Sequence, residues 1–245
     1  DIFAKLQSLL AFTMVVALLI LGGTALTGSG LPRTFEIDLF QDWNPAGAEE
    51  FSLIAIAIWG FVGAEFVCPM VEESNSPEKN IPRSMITGIC IVMAIYVVYC
   101  LGAIFYVPLD VLSSSTLPHK DFVIAVFGEG GTLLLATAAV TATCSTVNTS
   151  LAAVPRMIYG MAHNGQAISA LQKIHPKYQT PWLAVIFIAL ITGLPLLVLG
   201  NDAESVTLLL ISASLAWLLA YIVVHIDVIV LRKRVPSASR PFKTP

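Results

Sequence analysis

The chain has 245 residues, of which 56% are hydrophobic and 12% charged, with a mean hydropathy of +0.82. Ordinary soluble domains carry about 25% charged residues, so this composition argues against a soluble fold and for an integral membrane protein. The net charge of −3, with basic residues scattered among loops, leaves no electrostatic footprint for nucleic acid, and no such partner is expected.

Taken in chain order, apolar stretches of about the 20 residues needed to cross the hydrocarbon layer recur. They fall at 6–23, 51–71, 84–107, 132–155, 181–200 and 206–231. Unpaired backbone groups are not tolerated in lipid, and the runs lack the ten-residue alternation of a membrane barrel. The expected fold is therefore an all-α membrane protein, one transmembrane domain over 1–245 with six transmembrane helices embedded in the lipid bilayer. The first stretch lacks a basic leading region and a small-residue cleavage site, which disfavours a signal peptide. A start at Asp1 without Met, and an end at Pro245 in a basic, Pro-rich stretch, read as a fragment of a longer protein.

Between the spans, 24–50 contains Gly28, Ser29, Gly30, Pro32, Asn44 and Pro45, the composition of an irregular loop with local turns. Segment 166–180 places Ala167, Ile168, Leu171 and Ile174 near helical spacing, which predicts a short helix at the membrane surface, with a plain connector as the alternative. Cys68, Cys90, Cys100 and Cys144 fall inside apolar stretches without metal or disulfide spacings. No metal or cofactor is expected.

Orientation follows from the excess of Lys and Arg in cytoplasmic loops. Of the 13 basic residues, all but Arg33 and Lys120 fall on one side, which receives Lys5, Lys79, Arg83, Arg156, Lys173, Lys177 and the terminal group Arg232 to Lys243. The other side collects Glu36, Asp38, Asp42, Glu49, Glu50, Asp110, Asp121, Glu129, Asp202 and Glu204. The first helix is thus expected to run from inside to outside of a cell membrane crossed several times. The C-terminal end of the chain is expected to be cytoplasmic.

The stretch 51–83 carries the most chemical information. Gly60 and Gly63 interrupt an apolar helix near its middle, with Glu65 just beyond. Glycines in membrane helices are often close-packing positions, but a carboxylate in hydrocarbon costs at least about 2.5 kcal/mol, so Glu65 should face the bundle interior and serve a pathway or a partner. If the helix unwinds at Gly60 to Gly63, the preceding half ends in carbonyls of negative dipole character, suited to an ammonium group. Trp59 and Phe61 flank the break, and an aromatic wall adds a cation–π contribution of about 0.5–2 kcal/mol toward an amine. Ordinary helix packing accounts for either ring equally well.

These residues carry a resemblance. IWGFVGAEF at 58–66, followed by EESNSPEKNIPRS, resembles the sixth helix and following loop of the amino acid, polyamine and organocation transporter superfamily. CSTVNTSLAAVPRMIYGMAHNGQ at 144–166 is similar to the family's eighth helix, and TPW at 180–182 to the opening of the ninth. The resemblance implies an inverted-repeat fold of five plus five helices, in which the present spans are helices five to ten. It implies partners as well: the missing transmembrane helices of the same protein, among them the first helix, whose glycine-rich break holds the substrate carboxylate in relatives.

By the same resemblance, the amine of a small-molecule substrate meets the carbonyls of Ile58, Trp59 and Val62 around Gly60 and Gly63, and Trp59 or Phe61 closes over it. Glu65 takes the family's acidic position, used for proton coupling or for sensing a basic substrate. Ser145, Thr146, Asn148 and Thr149 form the polar cluster that in some relatives lies near an ion site or the substrate; polar bridging between helices is the alternative. Ser150 stands near where arginine-specific relatives carry a gating Trp. Read from the residues alone, Ser212 and Ser214 line the pathway in the last span. Asp227 lies about 7–8 Å from Arg232 at a rise of about 1.5 Å per residue, so interfacial anchoring competes with proton relay for it and for His225.

The expected function is a secondary active transporter moving an amino acid or related amine by alternating access, proton-coupled or by exchange. A polyamine importer of the same family is the alternative. A channel is disfavoured because no ring of acids or filter-like motif occurs. A membrane enzyme lacks HExxH, GxSxG or a phosphate-binding loop, and His119, His163 and His175 are too dispersed to form a catalytic set. A non-transporting receptor on the same fold remains an alternative.

Overall fold

The computed structural model describes residues 2–33, 57–199 and 203–240. The expected loop over 34–50, the start of the second span at 51–56, Asp202 and Lys243 lie outside these residues. The helices are α1 (Ile2–Thr27), α2 (Pro77–Tyr106), α3 (Leu109–Ser114), α4 (Pro118–Phe127), α5 (Thr132–His163), α6 (Trp182–Leu199) and α7 (Ala203–Arg234). No strand occurs among the described residues. The stretches Phe3–Thr27, Pro77–Tyr106, Pro118–His163 and Ser205–Arg234 are long and apolar enough to cross a membrane, and Ala57–Val71 and Trp182–Pro195 are shorter apolar helices. The chain is an all-α, multi-pass membrane protein.

Helix is what these sequences must form in lipid, because only internal hydrogen bonds are on offer there. Hydroxyls follow the same rule and bond back to their own helix. Thr13 donates to the carbonyl of Leu9 at 2.8 Å, Thr137 to Leu133 at 2.8 Å, Thr141 to Thr137 at 2.7 Å and Thr192 to Ile188 at 2.8 Å.

The residues group into two compact units. The first comprises 1–44 and 88–151, and its core is Leu21, Ala25, Tyr106, Val107, Phe122, Val123 and Val126. In a bilayer the helices gain little from excluding water from one another, so close approach of small residues must hold them. A Cβ on Gly22 would come within 2.9 Å of Val98, and one on Gly102 within 3.0 Å of Ala25 and 3.2 Å of the Gly22 carbonyl. These two glycines let α1 and α2 touch backbone to backbone. The Gly-Ser-Gly turn after α1 is a capping structure: Ser29 N–H donates to Thr24 O at 3.1 Å and Gly28 N–H to Ala25 O at 3.2 Å, with Gly28 left-handed at φ 67.

The segment after α2 contains more structure than a loop. Pro118 opens α4, which buries Phe122, Val123 and Val126. Phe122 meets Tyr99 edge to face at 5.1 Å, and the Tyr99 hydroxyl bonds His119 Nδ1 at 3.0 Å. Proline at the first helical position and apolar residues at 122, 123 and 126 are helix signals that the sequence contained.

The second unit comprises 45–87 and 152–245. Its connector corrects one expectation. Over 166–180 the chain forms a single 3-10 turn, Ser169–Gln172, with Leu171 as its buried anchor, rather than an amphipathic helix. Pro176 stops helix propagation, and His175 captures the backbone instead: its Nδ1 accepts from Lys177 N–H at 3.2 Å and Tyr178 N–H at 3.3 Å. His175 N–H donates to Thr180 O at 2.8 Å, closing the turn.

Candidate functional site

The segment carrying Ile58, Trp59, Gly60, Phe61, Val62, Gly63 and Glu65 is broken. Residues 57–59 are helical, 60–63 form a turn, and a 3-10 helix runs over Ala64–Glu73. Within the turn, Gly60, Phe61 and Val62 N–H groups donate to the carbonyls of Ala57, Ile58 and Trp59 at 3.1, 2.9 and 3.3 Å. The Ile58 and Trp59 carbonyls thus already hold one hydrogen bond each and keep a second lone pair. Gly63 has φ 117 and ψ −11, a region that a side chain makes costly, which is why the break falls on glycine. Trp59 and Phe61 are exposed.

Glu65 sits in the first turn of the 3-10 helix and folds back on the break. Its Oε2 accepts the Gly63 N–H at 3.1 Å, satisfying a donor that the helix start leaves open. Oε1 is buried and has no hydrogen-bond partner among the described residues. The Tyr221 hydroxyl of α7 stands near enough to the carboxyl group to act on it as a hydrogen-bonding neighbour. An aromatic ladder places it there: Phe66 packs on Trp217 at 5.9 Å, and Trp217 on Tyr221 at 6.0 Å. Sequence reasoning missed Tyr221, since a tyrosine one turn beyond a tryptophan in an apolar helix carries no pattern that points to a carboxylate on another element.

The α5 cluster divides. Ser145 Oγ accepts from Gln7 Nε2 at 2.7 Å, and Asn148 Nδ2 donates to Gln7 Oε1 at 3.0 Å. Both therefore bridge to α1. Thr146 is exposed and Thr149 half-buried. Gln7 was the missed residue here; a lone amide in an apolar stretch was its signal. Ser212 and Ser214 are not brought together. Two residues turn a helix by about 200°, so Ser212 is exposed while Ser214 is buried and donates to Leu210 O at 2.8 Å. His225 Nδ1 pairs with Tyr221 O at 2.6 Å, within its own helix. No group of three or more metal-binding side chains occurs among the described residues.

Comparison with known proteins follows the same line. The chain is 26% identical over 219 residues to the branched-chain amino acid permease BcaP of Bacillus subtilis, covering 84% of this chain and 43% of that protein. It is 26% identical to the serine/threonine exchanger SteT of the same organism, covering 78% and 43%, and 26% identical to its methylthioribose transporter, covering 85% and 44%. The chain thus spans less than half the length of these relatives. The sequence matches the family model described as "Amino acid permease" over residues 2–245; this chain, with its broken helix and inward-folded glutamate, belongs to the amino acid permease family.

Proposed function

We propose that this chain is the portion spanning helices five to ten of a secondary active transporter that carries an amino acid across the cell membrane by alternating access. The observation that carries the reading is the broken segment: a helix ends at residue 59, the chain turns through a left-handed Gly63, and a carboxylate follows whose buried Oε1 has no hydrogen-bond partner among the described residues. A helix broken inside the membrane puts carbonyl dipoles at the break, which attract an ammonium group. An ionisable side chain kept at that depth costs free energy unless it is paired or neutralised, so its presence beside the break favours a role in transport.

The substrate's α-amine would sit on the carbonyl side of the turn, against Ile58, Trp59 and Val62, with the exposed Trp59 and Phe61 rings available to close over it. Two of the relatives are named for amino acid cargo, and an α-amine is the feature such cargoes share. Glu65 is the proton-coupling group in this reading, because a carboxyl can take up a proton on one side of the membrane and release it on the other. The pocket is completed by helices of the same protein outside this chain, and the C-terminal end of the chain is cytoplasmic, as the placement of its basic residues argues.

The test uses the full-length protein in proteoliposomes. Glu65→Gln preserves shape and can still accept from Gly63 N–H, but removes the exchangeable proton. Substrate binding is expected to survive while uptake loses its dependence on an imposed proton gradient. Accumulation by the Gln variant with an unchanged dependence on that gradient would end the coupling role of Glu65.

A further inference from the structure

The connector between α5 and α6 folds around one residue. His175 N–H donates to Thr180 O at 2.8 Å, its carbonyl accepts Gln179 N–H at 2.9 Å, and its Nδ1 accepts Lys177 N–H at 3.2 Å and Tyr178 N–H at 3.3 Å. The turn from 175 to 180 is therefore closed by the backbone and the side chain of His175 together. It is also strained, because Gln179 sits at φ 52, a left-handed conformation that costs free energy in a residue with a side chain. Ile174, Gln179 and Pro181 of this segment line a cavity of about 500 Å3 in the second unit, together with Arg156 and Tyr159 of α5 and Cys68 of the 3-10 helix. The closed turn thus holds one wall of that cavity in place.

The hydrogen bonds assign the protonation state. A neutral imidazole has one acceptor nitrogen and one donor nitrogen. Since Nδ1 of His175 accepts, its hydrogen is on Nε2, and a further proton can go only to Nδ1. There it would point at two backbone N–H groups, which can only donate. His119 is the contrast: its Nδ1 pairs with the Tyr99 hydroxyl at 3.0 Å, and a hydroxyl turns from donor to acceptor when the ring gains a proton. Protonation keeps the His119 contact and breaks two contacts of His175 at once. The charges around the turn do not restore them. Lys177 Nζ lies 5.4 Å from the centre of the Tyr178 ring, and that ring lies 4.9 Å from the imidazole, so the aromatic face beside His175 already serves a cation. Lys173 and Arg156 are further positive groups on the connector and on α5, while Glu72 and Glu73 in the last turn of the 3-10 helix are the acids of the third wall. The two N–H groups decide the outcome, because they touch the nitrogen that takes the proton.

We propose that His175 is a pH-sensitive latch: neutral, it closes the 175–180 turn, and protonated, it opens the turn and frees the cavity wall that the turn holds. The compartment it senses is the cytoplasm in the orientation argued from the basic residues. The latch acts on the connector and is independent of Glu65, so it stands or falls apart from the coupling role of that carboxyl group. Its rival is His163, stacked on Tyr159 at 6.1 Å, the other histidine on these elements.

The experiment is hydrogen–deuterium exchange mass spectrometry on the full-length protein in micelles, at pH 8 and pH 5, the range over which histidine changes charge. Protection is corrected for the intrinsic exchange rate at each pH and read on the peptide that carries the Lys177, Tyr178 and Gln179 amides. Wild-type protection there should fall about tenfold between the two conditions, as expected when two N–H groups lose their acceptor, while the helical peptides of α5 and α6 keep theirs. His175→Asn offers a side-chain carbonyl to the same N–H groups without titrating, so its protection should be the same at both pH values. His175→Phe keeps a ring beside Tyr178 without an acceptor and should be unprotected at both. Unchanged wild-type protection overturns the latch, as does wild-type protection in His175→Phe at pH 8. A loss that persists in His175→Asn assigns the titration to another group, His163 first, and overturns it too. A parallel loss through α5 and α6 reports global unfolding and has the same consequence. Glu65→Gln should match the wild type in this assay whatever its effect on uptake; if it abolishes the pH dependence, the connector follows the carboxyl group and the latch is overturned.

Discussion

Replacing Gln7 with alanine tests whether the α5 cluster holds helices together or lines a pathway. Gln7 Nε2 donates to Ser145 Oγ at 2.7 Å and Gln7 Oε1 accepts from Asn148 Nδ2 at 3.0 Å, so the truncation removes both cross-helix bonds. Such bonds average about 0.6 kcal/mol in membrane double-mutant cycles, with a maximum near 1.7. The two partners left behind differ. A serine hydroxyl can turn to a carbonyl of its own helix, whereas the Asn148 amide is left without its acceptor. The expected loss is therefore about 1–2 kcal/mol, most of it from the Asn148 side. The assay is the unfolding free energy of the full-length protein in micelles for Gln7→Ala, Asn148→Ala and the double variant. The double variant should be less destabilised than the sum of the singles by about 0.6–1.7 kcal/mol. Uptake per folded molecule should stay within about twofold of wild type, a barrier change under 0.5 kcal/mol. Additive losses, or intact stability with uptake abolished, would refute the bridging argument and return Ser145 and Asn148 to the pathway.

Three further outcomes follow from the same geometry. Gly63→Ala places a side chain at φ 117 where its Cβ meets nothing within 4 Å, so the loss is backbone strain alone, about 1–3 kcal/mol. A thermal-shift measurement checks it against Gly88→Ala, which also has open space but lies inside α2 and should gain about 0.5–1 kcal/mol. Gly102→Val drives a branched side chain into Ala25 and the Gly22 carbonyl, 3.0 and 3.2 Å from its Cβ, and should destabilise by about 1–3 kcal/mol, read as a lowered Tm. In a background without Cys68, Cys90, Cys100 and Cys144, an impermeant thiol reagent applied to intact cells should label Ser114→Cys and spare Lys177→Cys. The reverse pattern would overturn the orientation read from the basic residues.

The helical architecture was legible because lipid leaves the chain little choice. Long apolar runs became helices, though their ends moved: α2 begins at Pro77 rather than near 84, since the polar turn Pro77 to Arg83 is helical and composition alone counted only its apolar part. The connector was misread for a related reason. Ala167, Ile168, Leu171 and Ile174 have helical spacing, but the His175 side chain and Pro176 compete for the backbone with a local turn, and periodicity does not register that competition. Helix α4 was overlooked because it is too short to span a bilayer, although its buried face at 122, 123 and 126 was written in ordinary helical spacing.

The geometry of the candidate site was legible only where its residues lie within a few positions of one another. Gly60, Gly63 and Glu65 stood out because glycine and a carboxylate are conspicuous inside an apolar run, and the structure gives that run a left-handed glycine and a carboxylate bonded two residues back. Contacts across the chain were invisible by the same logic. Gln7 reaches Asn148 over 141 positions, and no local pattern ties one lone amide to another so far away. Ser212 and Ser214 show the opposite error: neighbours in sequence were grouped, yet two steps along a helix face nearly opposite ways, and only Ser214 is buried. A broken helix is thus announced by the residues that break it, while its partners, Tyr221 among them, are fixed by packing. Oε1 of Glu65, without a hydrogen-bond partner among the described residues, concentrates that distinction in one atom. Desolvating a carboxylate oxygen without a donor is costly, so a proton, a substrate amine or the nearby Tyr221 hydroxyl must meet it at some stage of the transport cycle proposed here. The pH dependence of the Glu65→Gln and Tyr221→Phe variants separates these partners. The proton requires Glu65 alone to matter, and the hydroxyl requires both.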